Sequence, residues 1–321
     1  MRSIVAFLLC SGLAFAQAEQ PRRPSVATPK GWKAPRTPDG VPDLQGLWTN
    51  VTVTPLQRPA NLANKPFFTE AEAQAFEKET VARNNADVRS TGAADVGTAY
   101  NDFWYNRGDQ VVPTLRTSLI VDPPDGRVPA LTDYGKKLQA ERAELRRQRG
   151  PADGPESRSL AERCIVWPTG GPPMVPSFYN NNYQIVQGPG YVAIYVEMVH
   201  DVRMIPTDGR AHLPSSIRLW MGDPVGHWEG DTLVVETTNF TNDSPFNNSS
   251  QDMKLVEKFT RINKDVLMYE FTVNDPVFTK PWTAQLPMTP IEGPLYEYAC
   301  NEGNRAMEGM LAGAREEEKK K

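Results

Sequence analysis

Between Tyr183 and Ala299 the sequence falls into short β-patterned segments separated by turn residues, and no helical period intervenes. Tyr183 to Gln187 is stopped by Gly188-Pro189-Gly190, and a longer run from Tyr191 to Ile205 is turned by Asp208-Gly209. Ile217 to Met221, Thr232 to Thr238, Met253 to Ile262, Val266 to Val273, Trp282 to Met288 and Tyr296 to Ala299 follow, with Asn263-Lys264-Asp265 as a hairpin turn. Strands this closely spaced pair antiparallel, because parallel neighbours need long crossovers. The predicted fold is therefore mainly β, an antiparallel barrel or closed sandwich over residues 161–303, with a few peripheral helices. The 29 prolines among 321 residues agree, since proline interrupts helices and borders strands.

The flanking segments have other textures. Met1-Arg2 precedes an apolar run from Ile4 to Phe15, which ends in Ala14-Phe15-Ala16. A charged start, an apolar stretch shorter than a bilayer span and an A-x-A site predict a cleavable signal peptide over residues 1–16. Residues 17–42, rich in Pro, Arg, Lys and Thr, predict an extended arm with little packing of its own. Within residues 43–160, Trp48 to Pro55 and Thr117 to Val121 read as strands, and Glu70 to Arg89 and Thr132 to Arg149 as helices. Thr69 and Glu72 have the spacing of a capping box. Residues 304–321 read as a helix with Met307, Met310, Leu311 and Ala314 on one side.

Cys10 falls within the leader, which leaves Cys164 and Cys300. In an oxidising compartment two such cysteines are expected to pair, tying the C-terminal segment to the middle of the chain. The expected location is periplasmic or extracellular, with no membrane insertion after the leader is removed. A net charge of −4 without a basic block argues against nucleic acid or anionic lipid as partner.

The stretch Glu197-Met198-Val199-His200-Asp201-Val202-Arg203 carries the chemistry that a core does not want. Strand alternation puts Val192, Ile194, Val196, Met198, Val202 and Met204 on one face and Tyr195, Glu197, Asp201 and Arg203 on the other. These ions are either paired, as Glu197 or Asp201 with Arg203 bracing the barrel, or they line a wet cavity. In a cavity, Glu197 serves as acid or base, His200 shuttles a proton, and Arg203 holds an anionic or carbonyl oxygen. Asn180-Asn181-Asn182 beside Phe178-Tyr179 suits polar–aromatic recognition and equally a plain turn. His200, His212 and His227 lack metal-site spacing, so no metal is expected. Without a phosphate loop, dinucleotide fingerprint or serine elbow, no cofactor or serine hydrolase is expected either.

Several strings resemble segments of a large family of exported bacterial proteins that carries no established activity. They are Pro42-Asp43-Leu44-Gln45-Gly46-Leu47-Trp48, the 197–203 stretch, Trp220-Met221-Gly222-Asp223, Trp228 through Phe240, and Tyr296-Glu297-Tyr298-Ala299-Cys300. Gly46-Leu47-Trp48 is also similar to the Gly-x-Trp entry of lipocalin-type barrels. The first functional expectation is capture of a small, partly apolar or aromatic molecule in the barrel. Tyr183, Tyr195, Trp220, Trp228 and Trp282 would supply apolar contacts, with Asn182, Glu197 and Arg203 as polar anchors. The alternatives are a hydrolase or lyase using Glu197 and His200 as an acid–base pair in the same cavity, and a non-catalytic envelope or assembly component.

Overall fold

The computed structural model describes residues 23–88, 101–243, 246–303 and 305–320, so the expected leader and residues 17–22 lie outside it. Ten strands form one antiparallel sheet that rolls into a nearly closed barrel. Its path runs β5 (Val202–Pro206), β4 (Tyr191–Val196), β3 (Asn182–Gly188), β1 (Gly46–Thr49), β10 (Trp282–Pro290), β9 (Leu267–Asn274), β8 (Lys254–Arg261), β7 (Thr232–Thr238), β6 (Asp223–Glu229). β2 (Ile120–Asp122) pairs with the first residues of β10, off this path.

Two meanders, β3 to β5 and β6 to β10, are thus joined by β1. Trp48 lies opposite both Tyr183 and Pro290, so a strand from outside residues 161–303 completes the β domain. The path holds nine strands, all in antiparallel pairs, so its two ends run in the same direction. β5 and β6 therefore cannot share an antiparallel ladder, and no ladder joins them. Along this seam Ile205 packs on Gly226 so tightly that a β-carbon at position 226 would come within 2.9 Å of its Cγ2. The 207–222 connection must climb the full height of the barrel to begin β6.

The lower end has the tight hairpins at 189–190, 230–231 and 262–266, and the arm covers it. Trp32 Nε1 donates to the Arg261 carbonyl (3.2 Å), Asn263 Nδ2 to the Ser25 carbonyl (2.7 Å) and Gln187 Nε2 to the Pro42 carbonyl (3.0 Å). The arm is extended but bound, because side chains at the barrel end satisfy the carbonyls that its proline-rich backbone leaves unpaired.

Alternation fills the lumen. Trp48, Tyr183, Phe259, Tyr269, Phe271 and Trp282 are fully buried, with aliphatic chains between them. The run expected from Tyr191 to Ile205 is interrupted by a turn at 197–201, where Val199 and His200 take φ of 64° and 49°. The strand resumes with its phase reversed. Arg203 points inward with Ile205 and so shares the face of Val192 and Ile194, from which the expected alternation separates it, while Val202 and Met204 turn to solvent.

Other boundaries shift for local reasons. The strand expected to reach Pro55 ends at Thr49. Thr49 and Thr52 hydroxyls accept the amides of Val51 and Thr54, local bonds that compete with a ladder. Ile217 to Met221 and Tyr296 to Ala299 form no strand, whereas Asp223–Glu229, just ahead of the Gly230-Asp231 turn, is β6. Helix α1 (Glu70–Asn84) has the expected capping box, α2 (Asp133–Gln148) starts from the Thr132 cap, and α3 (Ala306–Glu318) lies on the surface. Among the described residues, no helix is long and apolar enough to cross a membrane. Cys164 and Cys300 are joined as a disulfide.

Candidate functional site at the upper rim

The structure separates Arg203 from the other two residues of the 197–203 trio. Its guanidinium crosses the lumen to Glu257 of β8, with Nη1 to Oε1 at 3.0 Å and Nη2 to Oε2 at 2.5 Å. Tyr269 donates to the same Oε1 (2.7 Å) and accepts the Met174 amide (3.0 Å), so the cluster satisfies itself. Burial works against charge on Arg203, but the adjacent Glu257 carboxylate outweighs it and raises the guanidinium pKa. The brace is thus an Arg203–Glu257 pair, and neither Glu197 nor Asp201 is the partner.

Glu197, His200 and Asp201 stay together on the upper-rim turn between β4 and β5. Backbone bonds from Val196 N–H to the Asp201 carbonyl (2.8 Å) and from Glu197 N–H to the Asn182 carbonyl (3.0 Å) fix the turn. Asn182 Nδ2 donates to Glu197 Oε2 at 2.8 Å. Burial raises the Glu197 pKa, opposed by Asn182 and by the Tyr296 amide. Burial also pushes Asp201 up to about 6, with the His200 charge opposing it. No hydrogen-bond donor meets the Asp201 carboxylate among the described residues.

His200 Nδ1 lies 2.8 Å from the Tyr298 carbonyl. A carbonyl only accepts, so Nδ1 carries a proton, and in the neutral tautomer the lone pair is at Nε2. The segment that presents this carbonyl is fastened two residues later by the disulfide at Cys300. Left-handed φ at a valine and a histidine in succession is costly. Burial of Met198 and Val199 and the His200–Tyr298 bond hold it in place.

An aromatic cluster adjoins the turn. The Tyr298 ring stacks on Tyr179 (centroids 6.3 Å, 22°), and Tyr179 meets Phe178 edge-on at 4.7 Å. Phe178 also meets Trp167 (5.6 Å) and Tyr105 (6.2 Å). Phe178 is 40% exposed, so the cluster offers ring surface to solvent.

The expected apolar contacts do not converge. Tyr183 and Trp282 belong to the core, while Tyr195 sits half-buried on the outer wall. Trp220 lies in the 207–222 connection. Trp228 borders a hollow of about 40 Å³ at the lower end with Asp39, Val41 and Tyr191, room for water but not for an organic ligand. Of these residues, Asn182 lies beside Glu197.

The histidines are also dispersed. His212 Nδ1 meets buried Asp223 (2.9 Å), which also holds Arg210 (2.8 Å), and His227 pairs with Glu229 (3.0 Å). Among the described residues, no group of three or more His, Cys, Asp or Glu converges as a metal site would. The rim's chemistry comes from one oriented imidazole, one carboxylate without a donor, and a partly open stack of rings. No protein-family model, curated protein or solved structure matches this chain, so the rim is read from its own geometry.

Proposed function

We propose that the protein binds a small, partly aromatic organic molecule at the upper rim of the barrel, outside the cytoplasm. The observation that carries this reading is the continuity of the exposed ring stack with the ionisable turn. Phe178 and Tyr179 lead to Tyr298, whose carbonyl orients His200. The lumen is packed with core side chains, which favours the rim over the interior as the place for a ligand. The Cys164–Cys300 bridge supports an oxidising compartment, in keeping with the N-terminal leader pattern.

Calorimetric titration of the purified protein with planar aromatic compounds tests this. Phe178→Ala is expected to weaken binding about tenfold, the loss of one good ring contact. Trp220→Ala, in the 207–222 connection, is expected to leave it unchanged. Binding that ignores Phe178 and follows Trp220 refutes the assignment.

Acid–base catalysis at the same rim is a second reading, favoured by the His200 tautomer and the raised carboxyls of Glu197 and Asp201. On that reading the turnover of a bound compound is lost in His200→Asn while its binding persists. Equal turnover in the variant removes the catalytic reading and leaves the binding one.

A further inference from the structure

The rim is unbalanced in its hydrogen-bonding chemistry. The Tyr298 carbonyl fixes the His200 tautomer, so in the neutral imidazole the lone pair sits at Nε2. Asp201 is half-buried and meets no donor, whereas Glu197 is served by Asn182 and by the Tyr296 amide. Among the described residues, no Lys or Arg pairs with Glu197 or Asp201. The rings add to this excess of negative potential, since their faces attract cations. The cluster already seats one such charge. The Arg107 guanidinium carbon stands 3.7 Å above the Tyr105 ring, which itself meets Phe178.

A half-buried carboxylate that meets no protein donor is free to accept one from a ligand. A ligand that completes this site brings a donor, ideally a charged one, on an apolar body that covers the rings. An anion would instead face the Glu197 and Asp201 carboxylates, with which no Lys or Arg pairs among the described residues.

We propose that the rim selects organic cations, with a protonated amine meeting the Asp201 carboxylate and an attached flat, apolar body lying on Phe178, Tyr179 and Tyr298. This rests on the ligand-binding reading above and adds the chemical class.

The test uses three probes of one shape, 2-phenylethylamine, 2-phenylethanol and phenylacetate, titrated into the purified protein near neutral pH. The amine is expected to bind about tenfold more tightly than the alcohol, the difference a charge-assisted bond makes, with phenylacetate weakest. Asp201→Asn should bring the amine down to the level of the alcohol, with an unchanged or raised melting temperature showing that the fold is intact. Equal binding of amine and alcohol, or tighter binding of phenylacetate, overturns the selectivity and leaves the aromatic site standing. Failure of all three probes to bind overturns both proposals together.

Discussion

Arg203 and Glu257, one in each half of the barrel, meet across the lumen through two hydrogen bonds that the guanidinium donates. β5 and β8 are separated along the sheet by the unpaired seam, so this pair fastens together walls that no ladder joins. Arg203→Met leaves Glu257 buried and uncompensated, with an expected loss of about 3–5 kcal/mol in urea unfolding. The double variant Arg203→Met/Glu257→Met removes both charges and is expected to recover most of that loss. A double variant no better than the single one would show that the pair does not work by mutual neutralisation.

Asp201 gives a pH signature of known sign. Its carboxyl is raised from 3.8 to about 6, so the folded chain holds this proton more tightly than the unfolded chain does. The resulting stability is fully present below about pH 4 and lost as pH rises through about 6. Asp201→Asn avoids that loss. The variant is expected to be more stable than wild type by about 1 kcal/mol near pH 7.5, the full shift being reduced by the water that reaches the group. Near pH 4 the two should melt together. A gap of the same size at both pH values would contradict this.

Asp223 anchors the long connection that climbs to β6. Its carboxylate receives Arg210, His212 and the Leu213 amide, and these outweigh burial to hold its pKa below the usual range. Stability from this anchor is present above the unfolded value of 3.8 and is lost as pH falls through the lower folded value. Asp223→Ala is expected to cost about 1–3 kcal/mol and to open residues 207–222 to limited proteolysis. Cleavage of the variant only elsewhere would refute the anchoring role.

The disulfide supports the rim as well as the fold. Cys164→Ser/Cys300→Ser is expected to lower stability by about 2–5 kcal/mol. Because Cys300 fastens the segment carrying the Tyr298 carbonyl, the same variant should lose the fixed His200 tautomer. Nitrogen-15 spectra of the imidazole report this directly. A tautomer unchanged in the variant would separate the disulfide from the site.

Much of the barrel was legible because alternation and turn residues are local signals. The Asn263-Lys264-Asp265 hairpin and the Thr69 cap appear where local pattern puts them, and the cysteine pair follows from there being two cysteines after the leader. The phase of Arg203 was not legible. Simple alternation carries through 197–201, while two left-handed residues there reverse it. Glu257 leaves a mark in the sequence. Leu255, Glu257 and Phe259 share the inward face of β8, and one carboxylate among apolar neighbours calls for a partner across the lumen. The ring cluster joins residues near positions 105, 167, 178 and 298, a meeting that only tertiary structure creates.

The odd strand count also gives the wall a preferred line of rupture. Parting any other neighbours along the path strips a run of peptide hydrogen bonds, whereas separating β5 from β6 costs side-chain contacts alone. Breathing of the cylinder therefore starts beside Ile205 and Gly226. Amide protons on those two facing borders, shielded by no neighbouring strand, exchange with deuterated solvent ahead of the rest of the sheet.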